Sequence, residues 1–168
     1  MSDNPYAAPS APIVSPQNQA IYTKELKSAR TILIVVGAIQ LLFGAFGMTQ
    51  VREQFDEAAA AEVKAMGPGY VVDTELKEQV WEDQKTMLYA ANAVPLLLAV
   101  FFFIMAAFVF KKPVGITLTS LIVFVVAHGA DAVVEPSAIM KGLLLKILFV
   151  VILWKAYQSA KAAQAALG

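Results

Sequence analysis

Ala29 to Val51 reads ARTILIVVGAIQLLFGAFGMTQV, and this stretch decides the fold. It carries one charge, at its start, and is long enough for a helix to cross a ~30 Å hydrocarbon layer, which takes about 20 residues. Three further stretches match it: 86–110, 114–133 and 138–157. The chain as a whole agrees, with 58% hydrophobic and 15% charged residues in 168, against roughly 25% charged in soluble domains. Mean hydropathy is +0.63. The expectation is an all-α, polytopic membrane protein with four transmembrane helices.

Punctuation separates the spans. Lys111, Lys112 and Pro113 form a tight link between the second and third, and proline suits a first helical turn because its missing N–H would find no partner there. Glu135, Pro136 and Ser137 mark the next join. Lys24, Lys27, Arg30, Lys111, Lys112, Lys155 and Lys161 fall on one side, seven against the five of Arg52, Lys64, Lys77, Lys85 and Lys141. Basic residues favour the cytoplasmic side, so both termini are expected there. Ala45-Phe46-Gly47 imitates a signal cleavage site, but the preceding region is too long and too weakly basic for a secretory leader, and an uncleaved span is preferred.

Between the first two spans, residues 52–85 should form an extramembrane helical hairpin. Val51, Phe55, Ala59, Val63 and Met66 recur at helical spacing, with Arg52 facing Asp56 one turn on. Gly67-Pro68-Gly69 breaks the helix, and Asp73 or Thr74 caps the next, which carries a stripe of Leu76, Val80 and Met87. Two arms of about 15 residues would stand roughly 20 Å above the bilayer, stripe against stripe. Nine acidic residues lie between Glu53 and Asp83, and Trp81 sits near the base.

Residues 1–20, rich in proline and alanine, cannot bury enough apolar surface to offset ordering and are expected to be a disordered cytoplasmic tail. Residues 21–157 make the membrane domain, with Ile21, Tyr22 and Leu26 as an amphipathic lead-in, and 158–168 a cytoplasmic C-terminal tail. Within the first tail, Asn4-Pro5-Tyr6-Ala7-Ala8-Pro9 resembles the Asn-Pro-Tyr-x-x-Pro start of small uncharacterised bacterial multi-pass membrane proteins. The resemblance implies a bacterial cytoplasmic membrane and no particular activity.

Chemistry is scarce. No cysteine is present, and one histidine cannot build a multi-histidine metal site. Phosphate loops, zinc helices and nucleophile elbows are missing from the sequence. Gly129-Ala130-Asp131 resembles the Gly-x-Gly-Asp of membrane aspartyl proteases, but it lacks the second glycine and a second intramembrane aspartate. No enzyme activity, cofactor or metal is expected, and zero net charge gives no reason to expect nucleic acid.

The candidate functional residues are the polar cluster Gln40, His128, Asp131 and Lys146. Counted from Arg30 and Lys155, Gln40 and Lys146 fall near mid-bilayer, whereas Asp131 and His128, counted from Lys112, lie at or one turn below the far interface. Lys146 and His128 should then differ by about 10 Å in level and lean toward each other. Gln40 stands among Gly37, Gly44 and Gly47, small residues that let a second helix approach. A scaffold or accessory subunit is expected, bound to the lipid bilayer and acting through the hairpin or tail on a protein partner or in a homo-oligomer. The alternative is a small oligomeric transporter or channel with a polar route through Gln40, His128 and Lys146.

Overall fold

The computed structural model describes residues 15–67, 73–134 and 143–167, the side chains of 130–134 excepted. Four helices account for nearly all of it: α1 (Pro16–Met66), α2 (Thr74–Phe108), α3 (Pro113–Val134) and α4 (Leu143–Ala165). No strand occurs among the described residues. The start and stop signals act where the sequence puts them. Ser15 Oγ accepts from the Asn18 amide at 3.2 Å, with Pro16 in the first turn. Gly67 ends α1 at φ +102°, a conformation closed to most side chains, and Asp73 caps α2 by accepting from the Glu75 amide at 2.9 Å. α3 begins at Pro113, after the turn 109–112.

α1 is one helix of 51 residues, about 75 Å long, so lead-in, apolar span and first arm are continuous. Nothing in residues 52–66 breaks the helical period. α2 likewise joins second arm and second span in 35 residues. Two boundaries move. Residues 16–20, expected within the disordered tail, are helical because Ser15 and Pro16 supply a cap; residues 1–14 lie outside the described residues. α4 runs on to Ala165, past the expected end at Tyr157, because its alanines favour helix and Ala156, Ala160 and Ala163 pack inward. The link after α3, and the first residues of the expected 138–157 span, lie outside the described residues.

α1 packs against both α2 and α4, and α3 packs chiefly on α4. The α1–α2 pair is antiparallel over its whole length. Arg30 lies over the Phe110 ring at 5.5 Å, Gly37 meets Phe102 and Ala99, Gly44 meets Leu96, Gly47 meets Asn92, and Phe55 meets Trp81 with ring centroids 5.2 Å apart. Gly44 is the tightest point: a Cβ there would stand 2.7 Å from Leu96 Cγ and 2.9 Å from the Leu96 backbone nitrogen. The small stripe thus admits α2, as helix packing in lipid requires.

Leu33, Val36, Phe102, Phe124, Phe149 and Leu153 form the centre of the core, with Phe124 6.4 Å from Phe102 and 5.5 Å from Phe149. Apolar side chains cover the outside as well as the core. Gln40, Thr117, Ser120 and Ser159 are buried, while Leu42, Leu97 and Val126 are 70%, 68% and 63% exposed. The two buried hydroxyls of α3 are satisfied within that helix, Thr117 donating to the Pro113 carbonyl and Ser120 to that of Ile116, both at 2.8 Å. α1, α2 and α4 are each long and apolar enough to cross a membrane; α3 carries the shorter apolar stretch Pro113–Gly129.

Candidate functional site

Helix register sets the level of each polar residue. Tyr22, Phe110, Lys112, Gly115, Gln164 and Leu167 border one recess of about 420 Å³, so α1 at Tyr22, α3 at its start and α4 near its end share one level. Counted from there at 1.5 Å per residue, Gln40 stands about 27 Å along α1, His128 about 24 Å along α3 and Lys146 about 27 Å along α4. The three belong to a single layer. The count from Arg30 and Lys155 spread them over some 10 Å because it took the flanking basic residues as level markers. The helices instead begin their pairing two turns below Arg30, at Tyr22.

Within that layer the Gln40 amide nitrogen lies 3.4 Å from His128 Nε2. The ring stacks on Phe124, centroids 4.4 Å apart at 58°. Gln40 is 3% exposed and joins α1 to α3 just above the Phe102–Phe124–Phe149 cluster. Lys146 is half-buried on α4 at this level, and the Asp131 side chain lies outside the described residues. Among the described residues no group of three His, Cys, Asp or Glu is placed to hold a metal.

A second polar centre joins the arms. The Arg52 guanidinium forms two parallel bonds to Glu78, at 2.5 and 3.2 Å, and donates from Nε to Asp56 at 3.3 Å. Lys77 reaches the other Asp56 oxygen at 2.8 Å. The cation also lies 4.7 Å from the Trp81 ring and 5.8 Å from that of Phe55, and Trp81 is 8% exposed. Arg52 hydrogen bonding holds the Glu78 carboxyl below the usual carboxylate range, and Lys77, then Arg52, does the same for Asp56. Glu78 in return pushes the Arg52 guanidinium higher.

Beyond this brace a groove lies between the arms. Phe55, Ala59, Val63 and Met66 on α1 and Leu76 and Val80 on α2 line an open groove of about 410 Å³. The expected stripe is met only in part: Leu76 and Val80 line this groove opposite Phe55, Ala59, Val63 and Met66 without being buried, and Met87 is 71% exposed. The face of α2 that meets α1 runs Ala106, Phe102, Ala99, Leu96, Asn92, Leu88, Lys85, Trp81 and Glu78 in steps of three and four, with Lys77 beside its exposed end. Extending that stripe from the apolar span into the polar arm is the signal that would have found Glu78 and Lys77 and set them on the face of Trp81, already marked at the base.

Together these features define an all-α chain with three helices fit to cross a membrane, a polar layer in its bundle and a braced polar arm pair. No protein-family model, curated protein or solved structure matches it.

Proposed function

We propose that the chain is a multi-pass membrane protein with four transmembrane helices, which acts without catalysis as a scaffold or accessory subunit through the extramembrane arms of α1 and α2. The observation that carries this is the brace at Arg52. A loop that merely connects two spans needs no such junction, whereas an element that docks a partner gains by being held in one shape before it binds. α3 supplies the fourth span. At 22 residues it is about 33 Å long, and its packing on α4 gives it the same surroundings as its neighbours. The basic residues, seven to five, favour cytoplasmic termini and arms on the opposite face. The tail resemblance favours a bacterial cytoplasmic membrane.

A second reading, a small oligomeric transporter or channel, draws on the shared level of Gln40, His128 and Lys146. Against it, the Phe102, Phe124 and Phe149 rings fill the bundle axis one turn away.

Two measurements test the proposal. Single cysteines at Ser10, Gly69, Ser137 and Gly168 should react with an impermeant thiol reagent from outside only at Gly69 and Ser137; labelling of Ser10 would invert the topology. Extracted in mild detergent, the intact protein should migrate as a complex well above its 18.1 kDa chain mass, and Arg52→Glu, which splays the arms, should dissolve that complex without reducing membrane insertion. An unchanged complex refutes a role for the arms.

A further inference from the structure

The arm groove lies open for a physical reason. The Arg52–Trp81 brace holds the arms together at their base, and Ala58 to Ala61 then give α1 too little bulk to fill the space toward α2. Met66 and Leu76 remain more than half exposed at its walls, in the part of the chain richest in charge. Residues 52–85 hold nine acidic and four basic side chains. Three of those four, Arg52, Lys77 and Lys85, are taken up in ion pairs with Asp56, Glu78 and Glu82. The outward charge of the arms is therefore strongly negative, with Glu62 and Asp73 at the groove itself, where Lys77, the one cation among its described lining residues, is paired with Asp56.

We propose that the groove between the α1 and α2 arms binds one face of a cationic amphipathic helix from a partner protein. The inference rests on the reading of the arms as an extramembrane interaction element. An apolar trough bounded by two helices suits large side chains at i, i+3, i+4 and i+7 of a third, and its volume falls within the ~300–1,000 Å³ of ordinary binding pockets. The acidic rim then selects lysine and arginine beside those anchors. Charge excludes the other occupants within reach. A second copy would bring an equally acidic arm against this one, and residues 1–14 contain Asp3 but no lysine or arginine. An anionic lipid surface would be repelled in the same way.

The test uses the intact protein in zwitterionic nanodiscs and two labelled peptides with the same leucine face, one filled out with lysine and one with glutamate. Fluorescence anisotropy is read against empty nanodiscs. The lysine peptide should bind the protein, more weakly as salt rises, and the glutamate peptide should not. Leu76→Ser with Val80→Ser, both exposed and neither making the ion pairs or the cation–ring contact of the brace, should weaken binding by about tenfold or more by removing the apolar wall. Glu62→Lys on the rim should weaken it severalfold. Equal binding of both peptides, or undiminished binding to the Leu76→Ser/Val80→Ser protein, overturns the proposal. The detergent complex keeps this separate from the broader reading. If it survives Leu76→Ser/Val80→Ser but dissolves with Arg52→Glu, the arms recruit a partner by another surface and only the groove assignment falls. If neither change affects it, both fall.

Discussion

Gly44 offers the sharpest test of the α1–α2 packing on which the arms depend. In Gly44→Ala the new methyl would stand 2.7 Å from Leu96 Cγ and Cδ2 and 2.9 Å from the Leu96 backbone nitrogen. The leucine side chain can turn away, but the backbone nitrogen cannot, so α2 must recede by roughly 0.6 Å to restore a ~3.5 Å contact. Neighbouring contacts leave little slack, with Asn92 already at the Gly47 surface and Phe102 at that of Gly37. Overpacking of this kind costs about 1–3 kcal/mol, more than the ~1 kcal/mol that glycine to alanine returns in helix propensity. Gly115→Ala is the control: a Cβ at Gly115 meets nothing within 4 Å, so only the propensity gain remains, up to ~1 kcal/mol. Reversible unfolding in mixed micelles, followed by circular dichroism, should place the two variants on opposite sides of the parent. If Gly44→Ala is as stable as Gly115→Ala, α1 and α2 do not approach at Gly44 and the antiparallel register is wrong.

Other consequences follow from the two polar centres. Arg52→Leu leaves Glu78 and Asp56 without the guanidinium, so limited proteolysis near Gly67 should quicken, while Arg52→Lys, which keeps charge but not the bidentate fork, should fall between. The same assay should respond to pH. Because the folded carboxyls of Asp56 and Glu78 lie below their ordinary values near 4, their contribution is complete above about pH 4 and is lost as pH falls through the lower folded values, opening the arms in acid and not in base. In the bundle, Gln40→Leu and His128→Leu should show coupling of about 0.6–1.7 kcal/mol in a double-mutant cycle of micellar unfolding; additive losses would mean that the 3.4 Å contact is not a bond.

The elements were legible because their signals are local. Pro113, Gly67 and Asp73 act through their own backbone geometry, and the apolar runs declare their length without reference to any neighbour. The Gly37–Gly44–Gly47 stripe belongs with them, since a missing Cβ announces a close partner even though it cannot name α2. Continuity was legible from the period and not from hydropathy: polarity changes where α1 passes from Val51 into its arm, but the helical spacing runs on through Phe55, Ala59 and Val63.

Register between helices was not legible at all, and both departures at the candidate sites come from it. Basic residues were taken to mark one interface, yet Arg30 rests against the Phe110 ring two turns along from Tyr22, where the recess bordered by α3 and α4 begins. A long cationic side chain can reach back to polar surroundings from such a position, so its Cα is a poor depth gauge. Correcting that offset brings Gln40, His128 and Lys146 to one level. The same lesson applies in the arms. Hydropathy chose Leu76, Val80 and Met87 as the buried face, but which face of α2 turns inward was already determined in the span, by Leu96 against Gly44 and Asn92 against Gly47. Carried down the same helix in steps of three and four, that orientation buries Trp81, sets Glu78 and Lys77 against Arg52 and Asp56, and turns Leu76 and Val80 to the groove. An apolar stripe left beside the packed face, rather than on it, is what a surface kept for another helix would show.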